Sequence, residues 1–318
     1  MRLSRVEALQ GAIRRLKVNS ADRLYLEKEL FNIQAGIRGE QRLHKKIIEF
    51  YFPSGYEIIW NVNLSLNAWP VQIDGLLLTK NVAVIIESKN ISGELHFDNI
   101  TGEFYRLDLS GAKAVMDNPA IQVEKHIRFM KAWFAEHGIR LAVDGLLVFT
   151  ALQSELKNLP KTTYTCRRHH MIELLFNIIE EYKPSTTAQT SLNDLRKLIE
   201  SKQTPYLQKP IALHYSIKPE LFSRGIYCSQ CETPTVKKHY RSWRCSQCDL
   251  ICDDAPRRAV LEYFSLFGKP ASNQEIRSFT GIEDRHVMKR LLADKSFIMD
   301  GRNRQSRYSP GEKELEME

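Results

Sequence analysis

At 318 residues the chain exceeds one ordinary compact domain, so two or three domains are expected. Hydrophobic residues at 43% and charged residues at 26% lie near globular averages, which excludes a disordered, fibrous or membrane-embedded chain. The 46 Lys and Arg against 38 Asp and Glu leave a net +8, an excess that favours polyanionic partners without ribosome-like basicity. No run approaches the roughly 18 apolar residues of a membrane span, and no membrane partner is expected. Residues 1–20 are amphipathic, with Arg2, Arg5, Arg14, Arg15 and Lys17, and lack the apolar centre of a secretory signal. A cytoplasmic, reducing address is the expectation.

Residues 1–35 carry helical periodicity through Leu16, Leu24, Leu26, Leu30, Phe31 and Ile33, with Gly36 and Gly39 expected to end it. A second helix is expected from about Arg38, with Leu43, Ile47, Ile48 and Phe50 on one side, until Pro53-Ser54-Gly55. Three β-like runs follow, YEIIWNVNL, VQIDGLLLT and VAVIIESKN, which read as a meander with Lys80-Asn81 between the last two. Asn118 and Pro119 open a helix that ends near Gly138. Residues 143–150 read as a buried strand, while Asp144-Gly145 before its apolar part reads as a turn. The order α, β, β, β, α, β over 37–150 predicts an α/β (α+β) mixed sheet with flanking helices. Helical patterns near 169–182 and 191–202 flank the polar linker 184–190, and His169-His170, between Arg167-Arg168 and the helix, read as a surface loop.

Asp74, Glu87 and Lys89 form the most informative constellation. If Lys80 and Asn81 make a two-residue hairpin turn, Thr79 pairs with Val82 and Asp74 stands directly opposite Glu87. Like charges so opposed repel unless a cation lies between them, and hard divalent ions take oxygen ligands. Lys89, two residues on, projects from the same strand face. Glu87 directly follows VAVII, apolar on both faces, where an unpaired charge is costly. Read residue by residue, other roles stay open: Glu40 can favour a helix N-terminus, Gln122 can cap the first turn after Pro119, and Asp74 before Gly75 can form a turn.

Gly39-Glu40 opening a helix, then QIDGLLLT, VIIESKNISG and NPAIQ, resemble the nuclease-related domain (NERD), a branch of the PD-(D/E)XK nuclease superfamily, over about residues 35–150. The resemblance implies a PD-(D/E)XK-like core binding one or two Mg²⁺ (or Mn²⁺) ions beside a scissile phosphate. It implies Asp74 and Glu87 as metal ligands, the Ser88 carbonyl as a further one, and Lys89 as the group positioning the attacking water. Glu40 would reach the metal from the first helix, and Gln122 would assist from the second.

Cys228, Cys231, Cys245 and Cys248 form two CxxC knuckles separated by 13 residues, the pattern of a closed tetrahedral structural Zn²⁺ site. Cys252 is a spare thiol or a substitute for Cys248. Between the knuckles Lys237, Lys238, Arg241, Trp243 and Arg244 interleave charge with aromatics, which suits nucleic acid, or else a basic hairpin packing its Trp on a neighbour. The segment resembles zinc ribbons of the topoisomerase-finger type. Residues 255–310 carry 11 Lys and Arg against 6 Asp and Glu. They read as a helix, a second helix opened by a Ser272 to Glu275 capping box, a third with Val287, Leu291 and Leu292 inward, and a hairpin whose tip carries Arg302, Arg304 and Arg307. This resembles a winged helix-turn-helix, with Arg285, Lys289 and Arg290 facing DNA, though such modules also bind proteins.

The expected organisation is a helical segment 1–35, a nuclease-like domain 36–183, a helical linker 184–223, a zinc ribbon 224–252, a winged-helix-like module 255–310 and an acidic tail 311–318. The expected function is metal-dependent hydrolysis of nucleic acid, with DNA as the expected substrate. The alternatives are a non-catalytic binder or regulator, and a component activated by a helicase or ATPase partner, since no ATP-binding motif is present; a homodimer is also compatible.

Overall fold

A computed structural model describes residues 2–108, 110–183, 191–204, 208–302 and 305–311. The chain divides into two compact units, residues 35–206 and residues 1–34 with 207–318. Helix α1 (Arg5–Arg15) starts at a capping box in which the Ser4 hydroxyl accepts from the Glu7 N–H and the Glu7 carboxylate accepts from the Ser4 N–H. Helix α2 (Ala21–Ile47) is continuous. The expected break at Gly36 and Gly39 is therefore corrected: neither glycine ends the helix. Gly36 faces open space, whereas a Cβ on Gly39 would lie 2.7 Å from both Asn90 Cβ and Thr150 Oγ1. Gly39 marks a close approach, and the helix tolerates its propensity cost because packing outweighs it. Ile48, expected inward, is exposed, while Leu43, Ile47 and Phe50 are buried.

In the 35–206 unit, strands β1 (Glu57–Leu66), β2 (Trp69–Leu78) and β3 (Val82–Lys89) form the expected antiparallel meander. After β4 (Gly93–Phe97), β5 (Phe104–Leu107), β6 (Lys113–Met116) and α3 (Pro119–Glu136), β7 (Ala142–Phe149) returns parallel to β3. With β8 (Ser154–Lys157) and β9 (Tyr164–Arg167), the main sheet has the order β1-β2-β3-β7-β9, and a second sheet has the order β6-β5-β4-β8. Sequence patterning missed β4 to β6, β8 and β9, which are only four or five residues long. Asp144 and Gly145 lie inside β7 and form no turn. Gly145 is required there because a Cβ would meet Val123 Cγ1 of α3 at 2.3 Å.

Helices α3 and α5 (Leu192–Ser201) cover one face of the main sheet, where Phe129, Met130, Trp133 and Ile199 meet Ile73, Leu76 and Ile85. The end of α2 and α4 (Met171–Glu181) cover the other, where Leu43, Ile47 and Ile178 meet Val82, Val84 and Leu146. Strand β3 is thus apolar on both faces until Glu87. Cys166 is buried in β9 beneath α4, and Arg168 to His170 form a single turn leading into that helix.

In the other unit α1 packs Leu9, Ala12 and Ile13 against Leu26 of α2 and against Ile211 of α6 (Ile211–His214). Strands β10 (Val236–His239) and β11 (Ser242–Cys245) form a hairpin. Helices α7 (Ala255–Phe267), α8 (Asn273–Thr280) and α9 (Arg285–Leu292) precede a second hairpin of β12 (Phe297–Asp300) and β13 (Arg307–Pro310). The Ser272 to Glu275 capping box is present, and Gly281 ends α8 in the left-handed region that glycine tolerates. Arg307 lies within β13 rather than at the tip, opposite Asp300 and ion-paired with Glu275. Arg304, residues 184–190 of the expected linker and residues 312–318 of the acidic tail lie outside the described residues. Among the described residues, no helix is long and apolar enough to cross a membrane.

Candidate active site and metal centre

The two-residue turn at Lys80-Asn81 sets the β2–β3 register. Thr79 N–H donates to the Val82 carbonyl, and the ladder runs from Leu78 opposite Ala83 to Gly75 opposite Ile86. The paired ladder stops there, one step short of the expected pairing of Asp74 with Glu87. On β2 the side-chain alternation slips by one residue beside Asn61, whose φ is +52°, so that Ile73 and Leu76 enter the same cluster. Asp74, at the slip, turns its carboxylate across the strand end, where Oδ2 accepts from Ser88 N–H at 2.8 Å and from Ser88 Oγ at 2.9 Å. Trp60 lies over Gly75, where a Cβ would sit 2.6 Å from its ring, and meets His44 of α2 with ring centroids 4.0 Å apart and planes tilted by 42°.

Glu87 and Lys89 occupy the carboxyl end of β3, beside the parallel strand β7. Lys89 Nζ donates to Glu87 Oε1 at 2.8 Å and to Gln122 Oε1 of α3 at 2.9 Å. Asn118 caps α3 and orients Gln122, one turn in, toward the lysine. Glu40 is carried by α2, which is anchored here by Arg42 Nη1 donating to Asn90 Oδ1 at 3.1 Å and by Asn90 Nδ2 donating to the Ala35 carbonyl at 2.6 Å. The close approach at Gly39 locks the same turn. Asn90, three residues after Glu87, is therefore a structural anchor that the sequence motif contains without revealing its role.

Charge crowding is evident in the ionisation behaviour. Burial, reinforced by Asp74 and opposed by Lys89, pushes the Glu87 carboxyl up to about 7. Burial and Asp74 also raise Glu40. Burial lowers His44 and holds His126 down to about 4, so His126 is neutral at physiological pH. His126 was not anticipated from the sequence, although its spacing of four from Gln122 puts both on one face of α3. Its ring is buried and its Nδ1 lies 3.6 Å from Glu87 Oε2. Neither atom has a hydrogen-bond partner among the described residues.

Glu40, Asp74, Glu87, Lys89 and Gln122 thus converge. A buried carboxylate oxygen without a partner, surrounded by further acids, has the donor chemistry for a divalent cation. Their ligand atoms are not all gathered: among the described residues, only Cys228, Cys231, Cys245 and Cys248 bring three or more His, Cys, Asp or Glu ligand atoms within 4.8 Å of one another.

That cysteine cluster fits a tetrahedral ion. Sγ atoms of Cys228 and Cys248 are 3.8 Å apart and those of Cys245 and Cys231 are 3.9 Å apart. Four sulfurs at about 2.3 Å from a central Zn²⁺ would be separated by about 3.8 Å. Backbone N–H groups of Gln230 and Cys231 point at Cys228 Sγ, that of Gln247 points at Cys245 Sγ, and the Thr235 hydroxyl lies 3.0 Å from Cys245 Sγ. These contacts favour thiolates. Cys252 stands outside the cluster, with its thiol directed to the Leu250 carbonyl.

Lys237 and Lys238 on β10 and Arg241 in the turn are exposed, and Lys238 Nζ lies 5.8 Å from the Trp243 ring centre. Trp243 is half-buried against the cluster that includes Cys245, and Arg244 pairs with Asp249. Arg285, Lys289 and Arg290 on α9 are exposed, as is Arg302 in the second hairpin's turn. Val287 and Leu291 pack against the core formed by Met288 and Leu292.

The family model of the nuclease-related domain matches residues 35–150, just over a third of the chain and the stretch that carries all five converging residues. No curated protein and no solved structure matches the chain.

Proposed function

We propose that the 35–206 unit is a PD-(D/E)XK-like, Mg²⁺- or Mn²⁺-dependent nuclease, and that the two C-terminal modules, a zinc ribbon and a winged helix, bring it to DNA. The observation that carries this reading is Glu87 Oε2, a buried carboxylate oxygen without a hydrogen-bond partner among the described residues, on a carboxyl whose ionisation Asp74 and Glu40 oppose, within a stretch matching a nuclease-related family. Glu87 and Asp74 would hold the cation. When bound, it would supply Lewis-acid charge to the phosphodiester and acidify a bound water. Lys89, held by Glu87 Oε1 and Gln122 Oε1, presents a fixed ammonium that orients the attacking water and offsets charge developing on phosphorus. Glu40 adds negative charge on the α2 side. Exposed cations at Lys237, Lys238, Arg241, Arg285, Lys289, Arg290 and Arg302 provide phosphate contacts, which give affinity and register without chemistry.

A second reading, a component activated by substrate or by a partner, draws support from Asp74, whose Oδ2 is already engaged by Ser88. A cation there would take the other oxygen, Oδ1, or displace the Ser88 contact.

The test is cleavage of single-stranded, duplex and branched DNA and of RNA with Mg²⁺, Mn²⁺ or no added divalent ion, comparing wild type with Lys89→Ala and Asp74→Ala. Metal-dependent cutting lost in both variants is expected. Binding without cutting, alike in all three proteins, would move the function to the C-terminal modules.

A further inference from the structure

The contact between His126 and Glu87 has no role in the chemistry above. Glu87 Oε1 is satisfied by Lys89, but Oε2 and His126 Nδ1 face each other at 3.6 Å in a buried position, each without a hydrogen bond among the described residues. The separation is too long for a direct hydrogen bond. Two orphaned polar atoms turned toward one another are a costly arrangement, and buried groups of this kind are normally satisfied by water or an ion. A bridging water with arms of about 2.8 Å would be squeezed to an angle of roughly 80° at its oxygen. A cation with arms of about 2.1 Å would subtend roughly 118°, and closing the pair by about 0.5 Å would bring this near the 90° of an octahedral ion.

Resting on the nuclease reading, we propose that His126 Nδ1 is a ligand of the cation taken by Glu87 Oε2, giving this site a mixed nitrogen and oxygen donor set that favours manganese-class transition ions over Mg²⁺. Carboxylate and water suit both ions, whereas an imidazole nitrogen favours the transition ion. The helix supports such a role: α3 presents Gln122 and His126 on one face, while Phe129, Met130 and Trp133 fix it on the sheet. Gln122 thereby holds Lys89 while His126 serves the metal, one turn apart.

The experiment uses the full chain, loaded with zinc at its cysteines and otherwise metal-free. Mn²⁺ is titrated in and followed by electron paramagnetic resonance, with electron spin-echo modulation reporting nitrogen on the ion. Wild type should bind one Mn²⁺ with ¹⁴N modulation of an imidazole ligand. His126→Gln should lose that modulation and bind Mn²⁺ about tenfold or more weakly, with its Mg²⁺ affinity, read by competition, changed far less. The wild-type spectrum alone decides the matter if the variant misfolds. Mn²⁺ binding that Glu87→Gln removes but that carries no nitrogen modulation would overturn the role of His126 and leave the carboxylate site intact. Absence of any Glu87-dependent Mn²⁺ binding would overturn both.

Discussion

Glu87→Gln should stabilise the protein, free of divalent ions other than zinc, at high pH and do little at low pH. The Glu87 side chain is 2% exposed, and its carboxyl is raised from 4.5 to about 7. At about 1.36 kcal/mol per pH unit, this disfavours the ionised form in the fold by on the order of 3 kcal/mol. The folded value lies above the unfolded one, so the protonated carboxyl's contribution is complete below about pH 4.5 and is lost as pH rises through 7. Glutamine remains neutral throughout. The stability gap between variant and wild type should therefore open between pH 4.5 and 7.5 and then level off. His126, held down to about 4, is common to both proteins and cancels to first order. Urea titrations followed by tryptophan fluorescence in a Trp243→Phe background report this unit, because Trp60, Trp69 and Trp133 all lie within it. Mg²⁺ or Mn²⁺ should stabilise wild type and not the variant. A gap that stays flat across this pH range would refute the burial argument.

Gly39→Ala should lower stability by about 1–3 kcal/mol through its clash with Asn90 and Thr150, outweighing its helix-propensity gain, whereas Gly36→Ala, facing open space, should raise it by roughly 0.5–1 kcal/mol; thermal melts of the pair compare the two. Glu262→Ala should cost about 3–5 kcal/mol, since it strips the carboxylate from the fully buried Arg15, paired at 2.7 Å, and chemical denaturation of the unit containing both residues measures it. Cys245→Ser should release bound zinc, assayed by metal analysis, and abolish hydrogen-exchange protection over β10 and β11 while leaving the 35–206 unit protected. Cys166, buried in β9 with its thiol pushed up to about 12, should resist alkylation in the native protein and react only on unfolding, as mass spectrometry would register.

Local chemistry was legible from the sequence. A two-residue turn leaves one register, so the pairing of Leu78 with Ala83 through Gly75 with Ile86 followed from counting, and the Ser272 and Asn118 caps followed from side chains that satisfy nearby N–H groups. The cysteine spacing likewise carried its own geometry. What depended on packing was hidden. Gly39 and Gly145 read as punctuation because a glycine that ends an element and one that admits a neighbour are identical in sequence; only the proximity of Asn90 and Thr150, or of Val123, separates them. The short strands β4 to β6, β8 and β9 have too few residues to establish a period, and they form because partners complete their ladders. His126 meets Glu87 only because the aromatic face of α3 fixes that helix's rotation on the sheet, a consequence of close packing among residues distant in sequence.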